Sequence, residues 1–318
     1  MSVLIIAESE NNTLKRNASE IASYGVALAV KLNTNCSAIT FHAKNANTLG
    51  QFGVSRVAHV TNVPKHFDAH AYAGAIASHA KNINATHIII GTSADAKFMA
   101  PILAAKLHAA YASNVVALPE EINPLTVKRS AFTNKAFAFT QLNAEIVLIG
   151  VGNNAFGTVE NNVPCEVEVI EVDDIISNVE QLSIEKVTGK ATIADADVVV
   201  SGGRGLKGPE NWHLIESLAE VLDAATACSK PVSDMGWRPH DEHVGQTGKP
   251  VSTNLYIAIG ISGAIQHLAG VNSSKVKVVI NNDPEAPFFK AADYGVVGDA
   301  FEVVPKLIEK LKAFIAQA

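Results

Sequence analysis

The sequence predicts an α/β fold with two domains, each a mostly parallel sheet flanked by helices, and a Rossmann-like second domain. The chain has 318 residues, a length at which one hydrophobic core usually divides into two. Short β-branched runs alternate with longer alanine-rich stretches, as is typical of βαβ units. A polar stretch without clear periodicity, from about residue 174 to 194, interrupts this alternation. We therefore predict one domain over residues 1–185 and another over residues 195–318.

The first domain is predicted to begin with alternating strands and helices. Its elements are, in order, a strand in VLIIAES, a helix in RNASEIASYGVALAVKL, strands in SAITFH and VAHVTN, a helix near residues 66 to 83, a strand in THIIIGT and a helix in SADAKFMAPILAAKLHAA. Ser93 is a plausible N-cap of the last helix. The following runs, RSAFTNKAFAFTQL and EIVLIGV, alternate more in the manner of antiparallel strands, and CEVEVIEV has a strict period of two.

The second domain begins again with a strand and a glycine loop in DVVVSGGRG, followed by an amphipathic helix. Further strands are predicted in LYIAIGI, KVKVVIN and YGVVGD, and a final helix in AFEVVPKLIEKLKAFIAQA. In an open parallel sheet, the loops that follow the strands gather at the carboxyl edge. The loops in question are SGGRG (201–205), ACSKP (227–231), HVGQTGKPV (243–251), GISGAIQH (260–267) and NNDPEAP (281–287). This convergence predicts a binding site at that edge.

The stretch YIAIGISGAIQHLAG, residues 256–270, runs from a strand through a turn of small residues into a helix. Such a turn directs free backbone N–H groups at a phosphate or pyrophosphate. The alternative is that the glycines serve tight packing and that His267 is a satisfied helix residue. The glycines around Arg204 are compatible either with a close approach of the backbone to phosphate or with a plain tight turn. Gln246 and Thr247 suit either the polar edge of a ring or a hairpin turn.

The composition argues against several classes of protein. A formal net charge of −6, without a basic stripe, argues against binding to nucleic acid. The opening MSVLIIAES is too short an apolar run for a signal sequence, and no later run reaches the length of a membrane span. We therefore expect a soluble, cytoplasmic protein. Cys36, Cys165 and Cys228 are widely spaced, which predicts buried or idle thiols and no disulfide framework.

Two pairs of histidines have spacings that are compatible with a metal site. His66 and His70 lie one helical turn apart in HFDAH, and His240 lies near His243 in HDEH. Neither pair has the further ligands and outer hydrogen bonds that a metal site needs. We therefore predict no metal, and solvated or capping histidines at these positions.

Five blocks of the second domain, in order and spacing, resemble the electron transfer flavoprotein alpha subunit family. The blocks are SGGRGLKGPENW, VGQTGK, YIAIGISGAIQHLAG, INNDPEAPFF and ADYGVVGD, and the resemblance covers residues 196–315. Over residues 1–185 it is looser and depends on LIIAES and GTSADAKFMAPILAAKL. The resemblance implies a heterodimer with a beta subunit, with one FAD held mainly by the second domain of the alpha subunit and AMP in the beta subunit.

The resemblance also implies a redox carrier, not an enzyme with its own substrate. Such a carrier takes electrons from flavin dehydrogenases, notably the acyl-CoA dehydrogenases of fatty acid β-oxidation, and passes them to a membrane quinone oxidoreductase. The first domain would serve subunit assembly. Two other classes stay open: a flavin- or nucleotide-dependent oxidoreductase acting on a small molecule, with NNDPEAP as its substrate loop, and a subunit without redox function.

By position, the resemblance assigns fifteen residues to the FAD and none to catalysis. They are Arg204, Ser229, Lys230, Val244, Gly245, Gln246, Thr247, Ser262, Gly263, Ala264, Ile265, Gln266, His267, Asn281 and Asp299.

The family resemblance also implies a role for several of these residues. Ser262 and Gly263 would face the pyrophosphate, and Gln266 the polar chain of the flavin. Thr247 would reach N5, and His267, protonated or strongly donating, would lie at the O2 edge of the ring.

The adenosine end would be served by Asn281 and Asp299. One position departs from the family pattern, since Lys230 follows Ser229 where an arginine is usual. A lysine keeps the charge but lacks the planar fork of donors that an arginine offers.

Overall fold

The computed structural model describes residues 2–132, 136–172, 177, 179–183, 193 and 196–317. The chain divides into two compact units, Met1–Ser130 with Phe137–Glu185, and Ala131–Ala136 with Lys186–Ala318. Most of the polar stretch 174–194, predicted as a linker, lies outside the described residues. Both units contain a mostly parallel sheet with helices, which confirms the predicted fold class. Among the described residues, no helix is long and apolar enough to span a bilayer.

In the described residues, the first unit is built around a mixed sheet that is covered by three α-helices. Its strands are β1 (Ser2–Ala7), β2 (Ser9–Glu10), β3 (Thr13–Leu14), β4 (Asn35–Phe41), β5 (Arg56–Val60), β6 (His87–Ile90), β7 (Ala110–Val115), β8 (Glu121–Ile122), β9 (Leu125–Ala131), β10 (Ala136–Gln141), β11 (Val147–Val151) and β12 (Glu166–Ile170). Its helices are α1 (Ala18–Lys31), α2 (Ala69–Asn82) and α3 (Ala94–Leu107). The strand order is β10-β9-β7-β11-β6-β1-β4-β5-β12, with β8 paired to β9 and β2 to β3.

Strand β11 corrects one prediction from the sequence. EIVLIGV was expected to alternate in the manner of antiparallel strands, yet β11 pairs in parallel with both β6 and β7. All five residues of β11 are buried, because a central parallel strand is covered on both faces and needs no alternation of polar and apolar residues. Strand β9 is antiparallel to β7 and β8, as expected for that part of the chain.

Strand β1 shows how the first sheet is covered on both faces. Ile5 packs in a cluster with residues of α1 such as Leu28, whereas the neighbouring Leu4 packs with Ile76 of α2 and Met99 of α3. Successive strand residues point to opposite faces, so an unbroken apolar strand supplies two cores.

The helix starts of the first unit test two sequence predictions. Ser93 caps α3 by accepting from the Ala96 N–H at 3.0 Å, as predicted. Asp68 caps α2, so His66 precedes the helix and only His70 lies within it. The prediction that the two histidines lie one turn apart on a helix is therefore wrong.

The second unit contains a parallel sheet in the order β14-β13-β15-β16-β17. Its strands are β13 (Val198–Gly202), β14 (Ala225–Cys228), β15 (Leu255–Ile259), β16 (Val276–Asn281) and β17 (Tyr294–Val297). Its helices are α4 (His213–Val221), α5 (Lys230–Asp234), α6 (Ile265–Val271) and α7 (Ala300–Ile315). From β13 the chain moves outward to β14 and then returns to the other side as β15. The order therefore reverses between β13 and β15, where open α/β sheets bind their ligands.

Candidate functional site

The loops that follow β13 and β15 meet at the carboxyl edge of the second sheet. The Gly203 N–H donates to the Ile259 carbonyl at 2.8 Å, and the Gly205 N–H donates to the Gly260 carbonyl at 3.0 Å. A Cβ atom at Gly203 would clash with the Gly260 carbonyl oxygen. Gly260 itself has a φ of +63°, which favours glycine. These glycines are thus needed for the two loops to approach each other, and the turn leaves Arg204 exposed.

The loop of residues 243–251 packs along α6. Its Gln246 N–H donates to the Gln266 carbonyl at 2.8 Å, and its Val251 N–H donates to the Gly270 carbonyl at 2.7 Å. A Cβ atom at Gly270 would lie only 2.6 Å from the Cα of Gly245. This glycine contact holds the exposed Gln246 and its neighbour Thr247 beside the start of α6.

The turn into α6 presents backbone and small side chains to solvent. Gly263 has a φ of +87°, and a Cβ there would lie 2.6 Å from the backbone of Phe288. The N-cap residue, Ala264, has no side chain that could accept the free N–H groups of the first turn. Ile265 is 74% exposed, unusual for an isoleucine. The turn therefore offers polar N–H groups and an apolar surface side by side.

His267 is the buried polar residue of this region. Its side chain is only 7% exposed, and its Nε2 lies 3.0 Å from the hydroxyl of Tyr256. Burial lowers the pKa of His267 to about 4, with a smaller lowering by His243 and an opposing effect of the Val244 backbone. The other ring nitrogen, Nδ1, is buried as well, and the opposing effect of Val244 is a hydrogen bond to its backbone. Burial is the larger effect and favours the neutral imidazole at pH 7.

Asn281 and Asp299 already have roles in the protein's own structure. Asn281 Nδ2 donates to the Ile261 carbonyl at 3.1 Å, and Asn281 Oδ1 accepts from the Asp283 N–H at 3.0 Å. Asp299 caps α7 by accepting from the Phe301 N–H at 3.0 Å, and its other carboxylate oxygen lies 3.8 Å from Lys207 Nζ. Both residues therefore stabilise loops at the carboxyl edge of the second sheet.

Ser229 and Lys230 lie where β14 passes into α5. The Ser229 N–H donates to the Gly202 carbonyl at 3.1 Å, which ties this loop to the glycine loop after β13. Lys230 is exposed, and its Nζ lies 2.8 and 2.9 Å from the two carboxylate oxygens of Asp234. The positive charge of Lys230 is therefore shared with a carboxylate.

Two family models match the chain. Residues 3–175 match the model described as electron transfer flavoprotein domain, and residues 192–272 match the electron transfer flavoprotein FAD-binding domain. The chain belongs to the electron transfer flavoprotein alpha subunits.

Curated alpha subunits from distant organisms align with nearly the whole chain. The alpha subunit of Thermoanaerobacterium thermosaccharolyticum is 36% identical, over 98% of this chain and 97% of the relative. That of Pseudomonas aeruginosa is 35% identical, over 96% and 99%. A probable mitochondrial alpha subunit of Caenorhabditis elegans is also 35% identical, over 98% and 93%. The name of the subunit implies a beta partner.

The geometry of this alpha subunit fits FAD at the turn into α6. The turn into α6 combines N–H groups and small polar side chains with the exposed Ile265, as suits a cofactor with a charged pyrophosphate and an apolar ring. Burial favours the neutral form of His267 at pH 7 in the chain by itself.

The structure brings most of the assigned residues of the alpha subunit to one edge of its second sheet. Residues 244–247 and 262–267 are joined through α6, and Ser229 is tied to the loop that carries Arg204. Sequence reasoning missed Tyr256, although a tyrosine in an otherwise aliphatic strand is a signal that its hydroxyl needs a partner. It also missed Phe288, whose backbone occupies the space beside Gly263.

The remaining histidines and cysteines lie as follows. His66 Nε2 lies 3.1 Å from the Val179 carbonyl, and the rings of His240 and His243 are 5.3 Å apart. Within the described ranges there is no group of three or more His, Cys, Asp or Glu residues able to hold a metal. Burial raises the pKa of Cys36 and of Cys228 to about 12, so both are thiols at neutral pH.

Proposed function

We propose that this chain is the FAD-holding subunit of a heterodimer that carries electrons and has no substrate of its own. In this proposal, residues 195–318 hold the FAD and residues 1–185 serve assembly with the beta subunit, which would hold AMP. The observation that carries the proposal is the carboxyl edge of the second sheet, where the loops after β13 and β15 meet beside the buried His267. This edge lies in the part of the chain that matches an FAD-binding domain.

When bound, FAD supplies the capacity to accept and release electrons singly or in pairs. The task of the chain is to bind and orient it. Arg204 is exposed and offers a fork of charged donors to a pyrophosphate. Ser262, Thr247 and Gln266 are exposed hydroxyl and amide groups on the joined loops. None of these is arranged as a nucleophile with a base, which supports a carrier over a hydrolase or transferase.

The need for a partner follows from the exposure of the edge. Ile265 and the turn before it face solvent within this chain, and a flavin ring resting there would need a second surface to exclude water from its other side. The fifteen assigned residues hold one side of the FAD in this proposal. We therefore expect the isolated chain to bind FAD poorly and the heterodimer to hold it tightly.

Electron donors and acceptors are the finer part of the proposal. We propose flavin dehydrogenases, such as acyl-CoA dehydrogenases, as donors and a membrane quinone oxidoreductase as acceptor. This part depends on the family resemblance, since a carrier that has no substrate of its own needs protein partners on both sides of its reaction.

The experiment is co-expression with the beta subunit, followed by a flavin count and a test of electron transfer. We expect one FAD held by this chain per heterodimer, reduction by a reduced acyl-CoA dehydrogenase, and no turnover of small substrates. A colourless heterodimer that stays colourless with added FAD would overturn the cofactor. Equal FAD affinity with and without the beta subunit would overturn the requirement for a partner, and turnover of a small substrate would favour an oxidoreductase.

A further inference from the structure

Lys207, in the loop after β13, has a backbone conformation that is unusual for a lysine. Its φ is +69°, in the left-handed region that favours glycine, and it ends the short turn that carries the exposed Arg204. Its N–H donates to the Arg204 carbonyl at 3.0 Å, which closes this turn. A lysine at such a position costs free energy that a glycine would not, so its side chain is a candidate for a functional role.

The Lys207 side chain extends to the start of α7. Its Nζ lies 3.8 Å from Oδ2 of Asp299 and 4.8 Å from the centre of the Phe301 ring. Lys207 follows β13 and Asp299 follows β17, and the strands β15 and β16 lie between these two in the sheet. The lysine thus links two loops of the carboxyl edge that follow strands which are not neighbours.

The ion pair between Lys207 and Asp299 contributes little to the stability of the fold. The two side chains are 66% and 43% exposed, and ion pairs between such exposed groups are weak because water and salt screen them. Asp299 also caps α7 without the lysine, since its other oxygen, Oδ1, accepts from the Phe301 N–H at 3.0 Å. Stability alone therefore does not account for a lysine in this strained position.

The lysine affects the orientation and the charge of the Asp299 carboxylate. Oδ1 is held by the Phe301 N–H, and the ammonium group beside Oδ2 favours one orientation of the whole carboxylate. The ammonium group also offsets the negative charge of Asp299. Without it, the aspartate would bring a like charge toward a ligand that carries a pyrophosphate.

We propose that Lys207 is a positioning residue for the adenosine end of the FAD. It holds the Asp299 carboxylate in place to accept a hydrogen bond from the ligand, and it offsets the charge that this carboxylate brings. This inference rests on the proposed function, in which Asp299 serves the adenosine end. Lys207 acts through Asp299 and does not itself touch the FAD in this account.

The test uses Lys207→Gly in the heterodimer, because glycine removes the side chain and relieves the backbone at the same time. Glycine is favoured at a φ of +69°, so we expect the free energy of unfolding to stay equal or to rise. We expect the FAD dissociation constant to rise about three- to ten-fold, as for the loss of one oriented hydrogen bond. Chemical denaturation without FAD and titration with FAD measure the two quantities.

A double-mutant cycle with Asp299→Asn tests whether Lys207 acts through Asp299. Asparagine keeps an N-cap for α7 and removes the charge beside which Lys207 lies. Once Asp299 has been replaced, the further change Lys207→Gly should leave the FAD dissociation constant unchanged. Additive effects of the two substitutions would mean that Lys207 acts independently of Asp299, and would overturn the positioning role.

Lys277→Gln is the matched control. Lys277 also pairs with an aspartate, since its Nζ lies 3.6 Å from Oδ2 of Asp293, but it lies near the start of β16, at the amino edge of the same sheet. Its side chain is more buried than that of Lys207, so we expect this variant to lose stability and to keep its affinity for FAD. The control should therefore change stability alone, whereas Lys207→Gly should change FAD binding alone.

Failure of this inference differs from failure of the proposed function. A Lys207→Gly heterodimer that binds FAD as tightly as the parent would overturn the role of Lys207, although the parent binds FAD. A large loss of stability in Lys207→Gly, or an equal loss of FAD in Lys277→Gln, would assign the effect to the fold and would also overturn it. If the parent heterodimer binds no FAD, the proposed function fails, and the role of Lys207 fails with it.

Discussion

The two units contain the same kind of sheet, but their carboxyl edges are filled differently. In the first unit, Glu8 follows β1 and Ser93 follows β6, again at a point where the strand order reverses. The Ser93 hydroxyl donates to Glu8 Oε1 at 2.6 Å, and Lys15 Nζ lies 3.2 Å from Asp95 and 3.7 Å from Glu8. In the second unit, glycine loops and exposed backbone occupy the equivalent edge.

This difference shows that the strand order creates a possible ligand site at the carboxyl edge. The residues that follow the strands then determine whether a ligand fits there. At the first edge Lys15 pairs with Glu8 and Asp95, and an anion would meet these two carboxylates. At the second edge the glycines bring the loops together without filling the space above them, and Arg204 and the turn into α6 offer donors. Of these two described edges, the second has the more suitable groups for a pyrophosphate.

The largest effect is expected from Gly203→Ala. The added Cβ would clash with the Gly260 carbonyl and separate the loops after β13 and β15. We expect the free energy of unfolding of the second unit to fall by about 3 kcal/mol, the upper range for an overpacked site, and FAD retention to be lost. Chemical denaturation and the flavin content after dialysis measure the two effects.

Gly74→Ala is the matched control for this substitution. Gly74 lies within α2 of the first unit, and a Cβ there would have no heavy atom within 4 Å. Alanine in a helix interior is favoured over glycine by about 1 kcal/mol, so this variant should be slightly more stable and keep its FAD. If Gly203→Ala behaved in the same way, the loops after β13 and β15 would not depend on their glycines.

A smaller effect is expected from Arg204→Ala. Loss of charge-assisted hydrogen bonds to a pyrophosphate should weaken FAD binding by about 2 kcal/mol, with little change in stability because the side chain is exposed. Titration of the heterodimer with FAD measures this, and Arg56→Ala, an exposed arginine of the first unit, controls for the change in net charge. Equal FAD affinity in all three proteins would leave Arg204 as an ordinary surface residue of a tight turn.

The smallest effect on FAD is expected at the first edge, from Glu8→Gln. Burial raises the pKa of Glu8, against the opposing effect of Lys15, so the folded state binds its proton more readily than the unfolded state. Glu8 therefore contributes its full stabilisation at pH values below its pKa in the unfolded state. This stabilisation is lost as the pH rises through its raised pKa in the folded state.

Glu8→Gln should remove that pH dependence from thermal unfolding of the first unit and leave FAD affinity unchanged. Denaturation curves at several pH values, with FAD titrations of the same samples, give both results. A large loss of FAD would mean that the first edge takes part in cofactor binding and would remove the contrast between the two units.

The sequence predicted the order of elements well because each depends on local patterns. An N-cap pattern predicted Ser93 at the start of α3, and an apolar run followed by glycines predicted the passage from β15 into α6. The parallel pairing of β11 was not predicted, although a run of apolar residues buried on both faces is typical of a central parallel strand. The capping role of Asp299 was also missed, although an aspartate before a helix is a local signal.

Sequence patterns could not predict contacts between residues that are distant along the chain. The glycines after β13 were interpreted as an approach to phosphate or a tight turn, whereas the backbone of Gly260 lies against them. The neutral state of His267 depends on its burial, and its Nε2 contacts the hydroxyl of Tyr256; no spacing in the sequence reveals either fact. Family resemblance selected the site residues, but only the fold shows which of them also hold the site together.

The most direct test of the difference between the two edges is photolabelling of the heterodimer with an azido derivative of FAD, followed by mass spectrometry of its peptides. The account predicts labels in this chain within residues 244–247 and 262–267, competed away by unmodified FAD. Labels around Glu8 and Ser93 in place of these segments would contradict it, because the FAD would then lie at the edge whose charges are already paired.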